Sequence, residues 1–163
     1  MKYLITGSAG FIGFHLANEL VKNEKNTVYG IDNFDDYYSV KLKKARIKLL
    51  RKKKNFNFIK INIANKNEIN KLLAIKVDII FHLAAQAGVR YTLVNPVKYI
   101  NTNVIGYYNL LTYIKNSSAK CVFYASSSSV YGDAKKFPVD ENIYCNPKNI
   151  YAFSKLLNEN CSK

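Results

Sequence analysis

Residues 2–13 read Lys-Tyr-Leu-Ile-Thr-Gly-Ser-Ala-Gly-Phe-Ile-Gly, and this stretch decides the fold. A short apolar run breaks into a loop with glycines at positions 7, 10 and 13, and an amphipathic run continues from Phe14 to Val21. A strand, a glycine loop and a helix in this order are typical of a dinucleotide-phosphate site, because the helix start points its free N–H groups at the phosphates. The G-x-x-G-x-x-G spacing is one residue longer than the common fingerprint, so a plain structural turn is the alternative.

A second strand pattern ends in a carboxylate. Residues 27–31, Thr-Val-Tyr-Gly-Ile, lead into Asp32, nineteen residues after Gly13. A carboxylate at the tip of the second strand of a βαβ unit accepts hydrogen bonds from the adenosine ribose hydroxyls and repels a 2′-phosphate. Asp32 therefore favours NAD over NADP, and an aspartate that merely ends a strand in a turn is the alternative.

Strand and helix patterns alternate along the 163 residues. Predicted strands cover 2–6, 27–32, 57–61, 78–83 and 120–125; predicted helices cover 11–22, 39–53, 67–74 and 96–115, with another from about 148. This alternation predicts an α/β fold, a doubly wound parallel sheet of the Rossmann type with strand order 3-2-1-4-5. Such a sheet normally has a sixth strand, so we expect a chain truncated before it, with the fifth strand at an open edge.

The composition argues against several classes of protein. Apolar residues make up 48% of the chain, which excludes a disordered protein. No apolar run reaches about 18 residues, so no membrane span is expected. Cysteines at 121, 145 and 161 are odd in number and widely spaced, which predicts a cytoplasmic protein without disulfides. Two histidines are too few for a convincing metal site, so no metal is expected.

Nine of the basic residues behind the net charge of +14 fall between Lys41 and Lys54. Leu42, Ala45 and Leu49 recur there at helical spacing, so we expect the basic residues to cover the solvated face of a helix. Attraction for an anionic partner, such as nucleic acid, a membrane or a nucleotide-linked substrate, is the alternative. Without interleaved aromatic residues, the pattern argues against specific nucleic-acid recognition.

Two segments near the C-terminus predict proton-transfer chemistry. Tyr151 and Lys155 are four residues apart and share one face of a helix. An ammonium group beside a phenol lowers the phenol's pKa from its usual value of about 10, which suits a general base. The hydroxyls of residues 126–129 follow the fifth predicted strand, where open α/β sheets bind ligands.

With these segments identified, the chain resembles the extended short-chain dehydrogenase/reductase family, specifically the N-terminal portion of its NAD-dependent nucleotide-sugar epimerases. The segments that carry the resemblance are 6–13, 30–46, 81–92, 101–106, 124–132 and the Tyr151/Lys155 pair. Segments 30–46 and 81–92 most resemble the UDP-glucuronate 4-epimerases. The resemblance implies an isomerase with bound NAD. It would oxidise C4 of a UDP-sugar to a 4-keto intermediate and then reduce that intermediate on the opposite face. The expected conversion is that of UDP-glucuronate to UDP-galacturonate.

The resemblance also implies residue roles. The catalytic residues would be Ser127, Tyr151 and Lys155, with Tyr151 as the base for the C4 hydroxyl. The cofactor-binding residues would be Gly7, Gly10, Phe11, Ile12, Gly13, Asp32, Asn33, Asn62, Ile63, Leu83, Ala84, Ala85, Asn103, Tyr151 and Lys155. The substrate-binding residues would be Gln86, Ala87, Gly88, Arg90, Ser127 and Ser128.

Arg90 and Asn62 are assigned on chemical grounds as well. Arg90 would meet the sugar carboxylate or a phosphate, because its planar fork suits either anion; a surface arginine is the alternative. Asn62 stands where the family usually has aspartate, and its amide would still hydrogen-bond the adenine amino group.

The length of the chain leaves other functions open. The resemblance implies that residues 1–163 are the NAD-binding domain and that a C-terminal substrate-binding domain is absent, so we expect weak or no turnover of the chain alone. The alternatives are a non-catalytic or split NAD-binding fragment, another UDP- or dTDP-sugar epimerase or dehydratase, and a nucleic-acid-binding protein. Dehydratases usually carry an Asp-Glu pair where this chain has Ser128-Ser129, which argues against dehydration. A homodimer through helices 96–115 and 148–161 is a further expectation.

Overall fold

Five parallel strands form a single sheet. The computed structural model describes residues 1–162; Lys163, the last residue of the predicted domain, lies outside the described residues. The strands are β1 Lys2–Thr6, β2 Thr27–Asp32, β3 Phe56–Lys60, β4 Ile79–His82 and β5 Cys121–Tyr124. Their order is β3-β2-β1-β4-β5, and each neighbouring pair is parallel. The predicted Rossmann fold and strand order are confirmed, with strand ends within one residue of the prediction.

Helices cover both faces of this sheet. They are α1 Phe11–Leu20, α2 Val40–Leu50, α3 Lys66–Asn70, α4 Pro96–Tyr99, α5 Gly106–Lys115 and α6 Ile150–Cys161. A π-helical segment, Ile100–Ile105, joins α4 to α5, so the predicted helix 96–115 is one run with an irregular middle. Short 3-10 helices span Lys71–Ala74, Val89–Leu93 and Ser128–Tyr131. The last two lie in segments for which the sequence predicted no helix or strand.

The core has two layers because successive strand residues point to opposite faces of the sheet. Leu4 packs with Ile80 and Leu110 in one layer. Ile5 packs with Val28 and Ala17 in the other. Full burial of each such Leu, Ile or Val side chain stabilises the fold by about 1.5–3 kcal/mol. The two layers fix the carboxyl ends of β1, β2 and β4 side by side, which is where the site lies.

The predicted apolar face of α2 is wrong. Leu42 and Leu49 are 50% and 54% exposed, and Ala45 is exposed as well. The buried face carries Lys43, Ile47 and Leu50 instead. Lys43 tolerates burial because its apolar stem packs inward while its ammonium group donates to the carbonyl oxygen of Asp35 at 2.7 Å.

Candidate functional site

A cleft of about 440 Å³ opens at the carboxyl ends of β1, β2 and β4. This is the point where the strand order reverses, and open α/β sheets bind ligands there. Most of the predicted cofactor residues line the cleft, namely Gly7, Gly10, Phe11, Ile12, Gly13, Asp32, Asn33, Ile63, Leu83, Ala84 and Ala85. Sequence motifs that are far apart in the chain are therefore brought together in one place.

The glycine loop packs directly against the start of α1. A Cβ atom on Gly13 would lie 2.3 Å from the carbonyl oxygen of Gly7, so only glycine allows this approach. Within residues 1–162, no side chain caps the N-terminus of α1. The first-turn N–H groups of this helix are therefore available to an anionic group in the cleft.

Two backbone donors hold the carboxylate of Asp32. Its Oδ2 accepts from the Ala9 amide at 3.1 Å, and its Oδ1 accepts from the Phe34 amide at 2.8 Å. The residue is buried, yet it lines the cleft. Each carboxylate oxygen retains further acceptor capacity, so the group can accept hydroxyl donors from a ligand in a fixed direction.

The sequence did not predict two basic residues and two tyrosines of the cleft. Lys43 and Arg46 line it beside Asp32, and Tyr37 and Tyr38 line it from the loop before α2. The Arg46 guanidinium donates to the carbonyl of Ala9 at 3.3 Å and lies 5.8 Å from the Phe11 ring centre. The i, i+3 spacing of Lys43 and Arg46 is the signal that puts both on one helix face.

Asn62 lies beside the main cleft. Ile61 and Ile63 line the main cleft, whereas Asn62 lines an adjoining depression next to Asn65 and Lys66. The Oδ1 atom of Asn62 accepts from the Ala64 amide at 3.0 Å, which turns the chain after β3. A contact of Asn62 with adenine stays a prediction.

A buried histidine lies beneath the cleft. The Thr6 hydroxyl accepts from the amides of Leu83 and Ala84 at 3.1 and 3.0 Å, so its own proton is left for His82 Nδ1 at 2.8 Å. Burial, followed by the charge of Lys155, lowers the pKa of His82 to about 3. The imidazole is therefore neutral and ties the ends of β1 and β4 together.

The predicted catalytic pair lies on α6, beyond the β4 side of the cleft. The Lys155 Nζ atom donates to the carbonyl of Ala125 at 2.7 Å, and Ala125 lines the cleft. Burial lowers the pKa of the Lys155 ammonium to about 8. Tyr151 lies one turn earlier on α6 and is partly buried, with its ring edge-on to Tyr99 at 6.2 Å.

Ser127 and Ser128 start the 3-10 helix after β5. The Ser127 hydroxyl accepts from the Ser129 amide at 3.2 Å and donates to the Ser129 hydroxyl at 3.1 Å. Ser128 is exposed. Both residues lie outside the lining of the cleft proper, and their roles toward a substrate stay predictions.

Asn103 joins the segment after β4 to α6. Its side chain accepts from the Gln86 amide at 2.8 Å and donates to the Gln86 carbonyl and to Ser154 Oγ, both at 3.0 Å. Gln86 and Ala87 reach the cleft, whereas Gly88 is covered by Tyr37. Arg90 is exposed and is not part of the cleft lining, so its role toward a substrate also stays a prediction.

Residues 1–162 lack two further classes of feature. No three His, Cys, Asp or Glu side chains in this range are grouped so as to hold a metal ion. None of the helices in the same range is both long and apolar enough to cross a membrane.

Comparison with known proteins now places the chain in a class. A family model described as GDP-mannose 4,6 dehydratase matches residues 4–163. The chain therefore belongs to this family of short-chain dehydrogenases/reductases.

Several relatives and solved structures are similar to this chain over nearly its whole length. The chain is 44% identical to Protein CapI of Staphylococcus aureus over 98% of its own length, and 39% identical to a probable UDP-glucuronate 4-epimerase of Rhizobium meliloti over 95%. It spans 48% and 46% of those proteins, about half the length of the curated relatives it matches. A crystal structure of UDP-glucuronic acid 4-epimerase from Bacillus cereus, in complex with UDP-glucuronic acid and NAD, superposes with a TM-score of 0.90. That match is 37% identical and covers 98% of this chain and 50% of the other.

Proposed function

We propose that this chain is the NAD-binding and proton-transfer portion of a UDP-sugar 4-epimerase, with UDP-glucuronate as the sugar nucleotide. One observation carries the proposal. One cleft is lined by the glycine loop, Asp32 and Ala125, and the Ala125 carbonyl accepts from the Lys155 ammonium, one helical turn from Tyr151. The similarity to UDP-glucuronate 4-epimerases supports the same assignment.

The residues of the cleft fit NAD. The uncapped start of α1 suits a diphosphate, because its N–H groups and helix dipole favour negative charge. The oriented carboxylate of Asp32 suits two ribose hydroxyls. Ile61, Ile63 and Leu83 provide apolar lining for the rings. When bound, NAD⁺ would supply the hydride acceptor for C4 of the sugar.

The protein's own residues would handle the proton. Tyr151 would accept the proton of the C4 hydroxyl and return it at the end of the cycle. Lys155 would place positive charge beside the phenolate, and with a pKa of about 8 it is mostly protonated at neutral pH. Ser127 would hydrogen-bond the same hydroxyl.

The proposal extends to the division of labour between domains, since the chain spans about half the length of the curated relatives it matches. We propose that residues 1–163 form the NAD-binding domain and that the grip on the uridine diphosphate comes mainly from a substrate-binding domain outside this chain. Binding energy from remote parts of a substrate helps to position the reacting carbon. We therefore expect weak turnover, or none, from the 163-residue chain alone.

A homodimer is part of the proposal. Exposed apolar side chains on the segment 96–115 and on α6 include Val97, Tyr108, Phe153 and Leu157. An apolar face of this kind on two adjacent helices is suited to a second copy of the chain. Sedimentation velocity is expected to show a dimer that Tyr108→Glu dissociates, and a monomeric wild-type chain would refute this part.

Dehydration is the second candidate, because the family model is described by that activity. A dehydratase needs acid–base groups beyond the tyrosine, and Ser128 and Ser129 offer no carboxylate after Ser127. Chromatography separates the two reactions on a substrate with a C6 hydroxyl, such as UDP-glucose. Dehydration eliminates that hydroxyl as water and gives a 4-keto-6-deoxy sugar nucleotide, whereas epimerisation gives no such product.

The experiment compares Tyr151→Phe with a matched control, Tyr144→Phe, whose side chain is exposed in a loop. Calorimetry with NAD⁺ and chromatographic assay of UDP-glucuronate conversion are run on the 163-residue chain and on a chain extended to the length of its relatives. In both chains Tyr151→Phe is expected to keep its NAD⁺ affinity. In the extended chain it is expected to lose at least about 100-fold in kcat, whereas the control keeps both properties. A folded wild-type chain that binds no NAD⁺ would refute the proposed function.

A further inference from the structure

The loop of residues 33–39, which connects β2 to α2, forms one wall of the cleft. Asp35, Tyr37 and Tyr38 of this loop line it. The loop is locally ordered by its own side chains, since Asn33 Oδ1 accepts from the Asp35 amide at 2.8 Å and Asp35 Oδ1 accepts from the Tyr37 amide at 2.9 Å. These turns set the shape of the loop but do not fix it relative to the sheet.

Lys98 of α4 attaches the loop from the outside. Its Nζ atom lies 3.0 Å from Asp35 Oδ2 and 2.9 Å from Asp36 Oδ1. Burial lowers the pKa of Lys98, but the hydrogen bonds and charges of Asp36 and Asp35 outweigh it and raise the pKa overall. The hydrogen bond from Lys98, followed by its charge, lowers the pKa of Asp36. Lys98 and Asp36 therefore both stay ionised at neutral pH.

The loop places Tyr37 in contact with the segment after β4. A Cβ atom on Gly88 would lie 2.0 Å from the Tyr37 hydroxyl, and Gly88 has a φ of +92°. The hydroxyl of Tyr99 donates to the Gly88 carbonyl at 2.5 Å, and the Tyr99 ring packs edge-on against Tyr151. One chain of contacts thus leads from the loop to the base proposed for the reaction.

We infer that Lys98 is a positioning residue, which holds the 33–39 loop as the wall of the cleft through Asp35 and Asp36 and so retains the dinucleotide. This inference rests on the proposed function. Within the described residues, Lys98 forms no hydrogen bond or ion pair with the glycine loop or with the Tyr151–Lys155 pair. Beside its bonds to the loop, its ammonium lies 6.0 Å from the Tyr91 ring centre.

The test compares Lys98→Met, Lys98→Arg and Lys22→Met. Lys22 is the matched control, because it also forms an ion pair, at 2.6 Å with Glu19, but at the exposed C-terminal end of α1 and outside the cleft lining. Hydrogen–deuterium exchange of the peptide 33–39 in the protein without cofactor is measured beside the calorimetric Kd for NAD⁺. Lys98→Met is expected to speed exchange of this peptide and to raise the Kd about fivefold, the scale of a partly exposed ion pair. Lys98→Arg and Lys22→Met are expected to match the wild type.

A double-mutant cycle tests whether Asp36 acts through Lys98. If it does, Asp36→Asn weakens binding on its own but adds nothing to Lys98→Met. Unchanged exchange in Lys98→Met would overturn the attachment, and an unchanged Kd with faster exchange would overturn the positioning role. A wild-type chain that binds no NAD⁺ would refute the proposed function, and the exchange rates would still decide whether Lys98 holds the loop.

Discussion

Replacement of Gly13 by alanine tests the closest contact in the glycine loop. The added Cβ atom would lie 2.3 Å from the Gly7 carbonyl oxygen and 2.9 Å from its carbonyl carbon. Ordinary contacts of a Cβ atom begin near 3.4 Å, so the backbone must separate by about an ångström. Backbone atoms cannot rotate aside as the end of a side chain can, so the strain is not relieved locally.

The size of the effect follows from two opposing terms. Insertion of a methyl group into a tightly packed position costs about 1–3 kcal/mol, and a contact this short belongs at the upper end. Alanine recovers up to about 1 kcal/mol, because it is a better helix former than glycine. The net loss is about 2 kcal/mol, which corresponds to about 4–8 °C in Tm for a chain of this size.

Thermal unfolding followed by circular dichroism measures this loss, with Gly10→Ala as the matched control in the same loop. A Cβ atom on Gly10 would lie 3.1 Å from the same Gly7 oxygen, which requires a shift of only a few tenths of an ångström. Gly10→Ala is therefore expected to lower Tm by about half as much or less. A Tm for Gly13→Ala equal to or above that of Gly10→Ala would refute the argument from close approach.

Three further predictions concern ionisable groups. Asp32→Asn is expected to weaken NAD⁺ binding about tenfold and to improve NADP⁺ binding, because Lys43 and Arg46 line the same end of the cleft; an unchanged preference in calorimetry would contradict this. His82 has a folded pKa of about 3 and an unfolded value near 6.5, so the unfolded chain binds the extra proton between these pH values. As pH falls from 6.5 toward 3, wild type is expected to lose about 1.4 kcal/mol per pH unit relative to His82→Gln in urea titrations, and parallel curves would exclude the effect. Lys155 has a folded pKa of about 8 against 10.5 when unfolded. The wild-type protein is therefore expected to gain stability relative to Lys155→Met as pH rises from 8 to 10.5, and a constant difference would contradict the prediction.

The sheet and the glycine loop were predictable because their signals are local. Apolar runs bounded by turn residues fix strands such as Thr27–Asp32 without knowledge of their neighbours. The glycine spacing and Asp32 likewise belong to short segments that the parallel order must bring to one edge.

The face of α2 was not predictable in the same way. Two apolar stripes compete on this helix, one through Leu42 and Leu49 and one through Ile47 and Leu50. The second is buried against Val28 and Phe56, and Lys43 on the same face is accommodated because its ammonium finds an acceptor in the Asp35 carbonyl. Periodicity within the helix does not contain this contact with a neighbouring loop. The contact of Tyr37 with Gly88 likewise joins segments that are far apart in the sequence, so no local pattern could predict it.

The tyrosines around the cleft have an optical consequence. The chain has thirteen tyrosines and no tryptophan, so its intrinsic emission is that of tyrosine alone. The ring of Tyr91 lies next to those of Tyr37 and Tyr99, and Tyr99 extends the series to Tyr151. Tyrosine emission overlaps the near-ultraviolet absorption of a reduced nicotinamide but not that of an oxidised one. Excitation of the unlabelled protein would therefore report, through energy transfer, which redox state of the dinucleotide occupies the cleft.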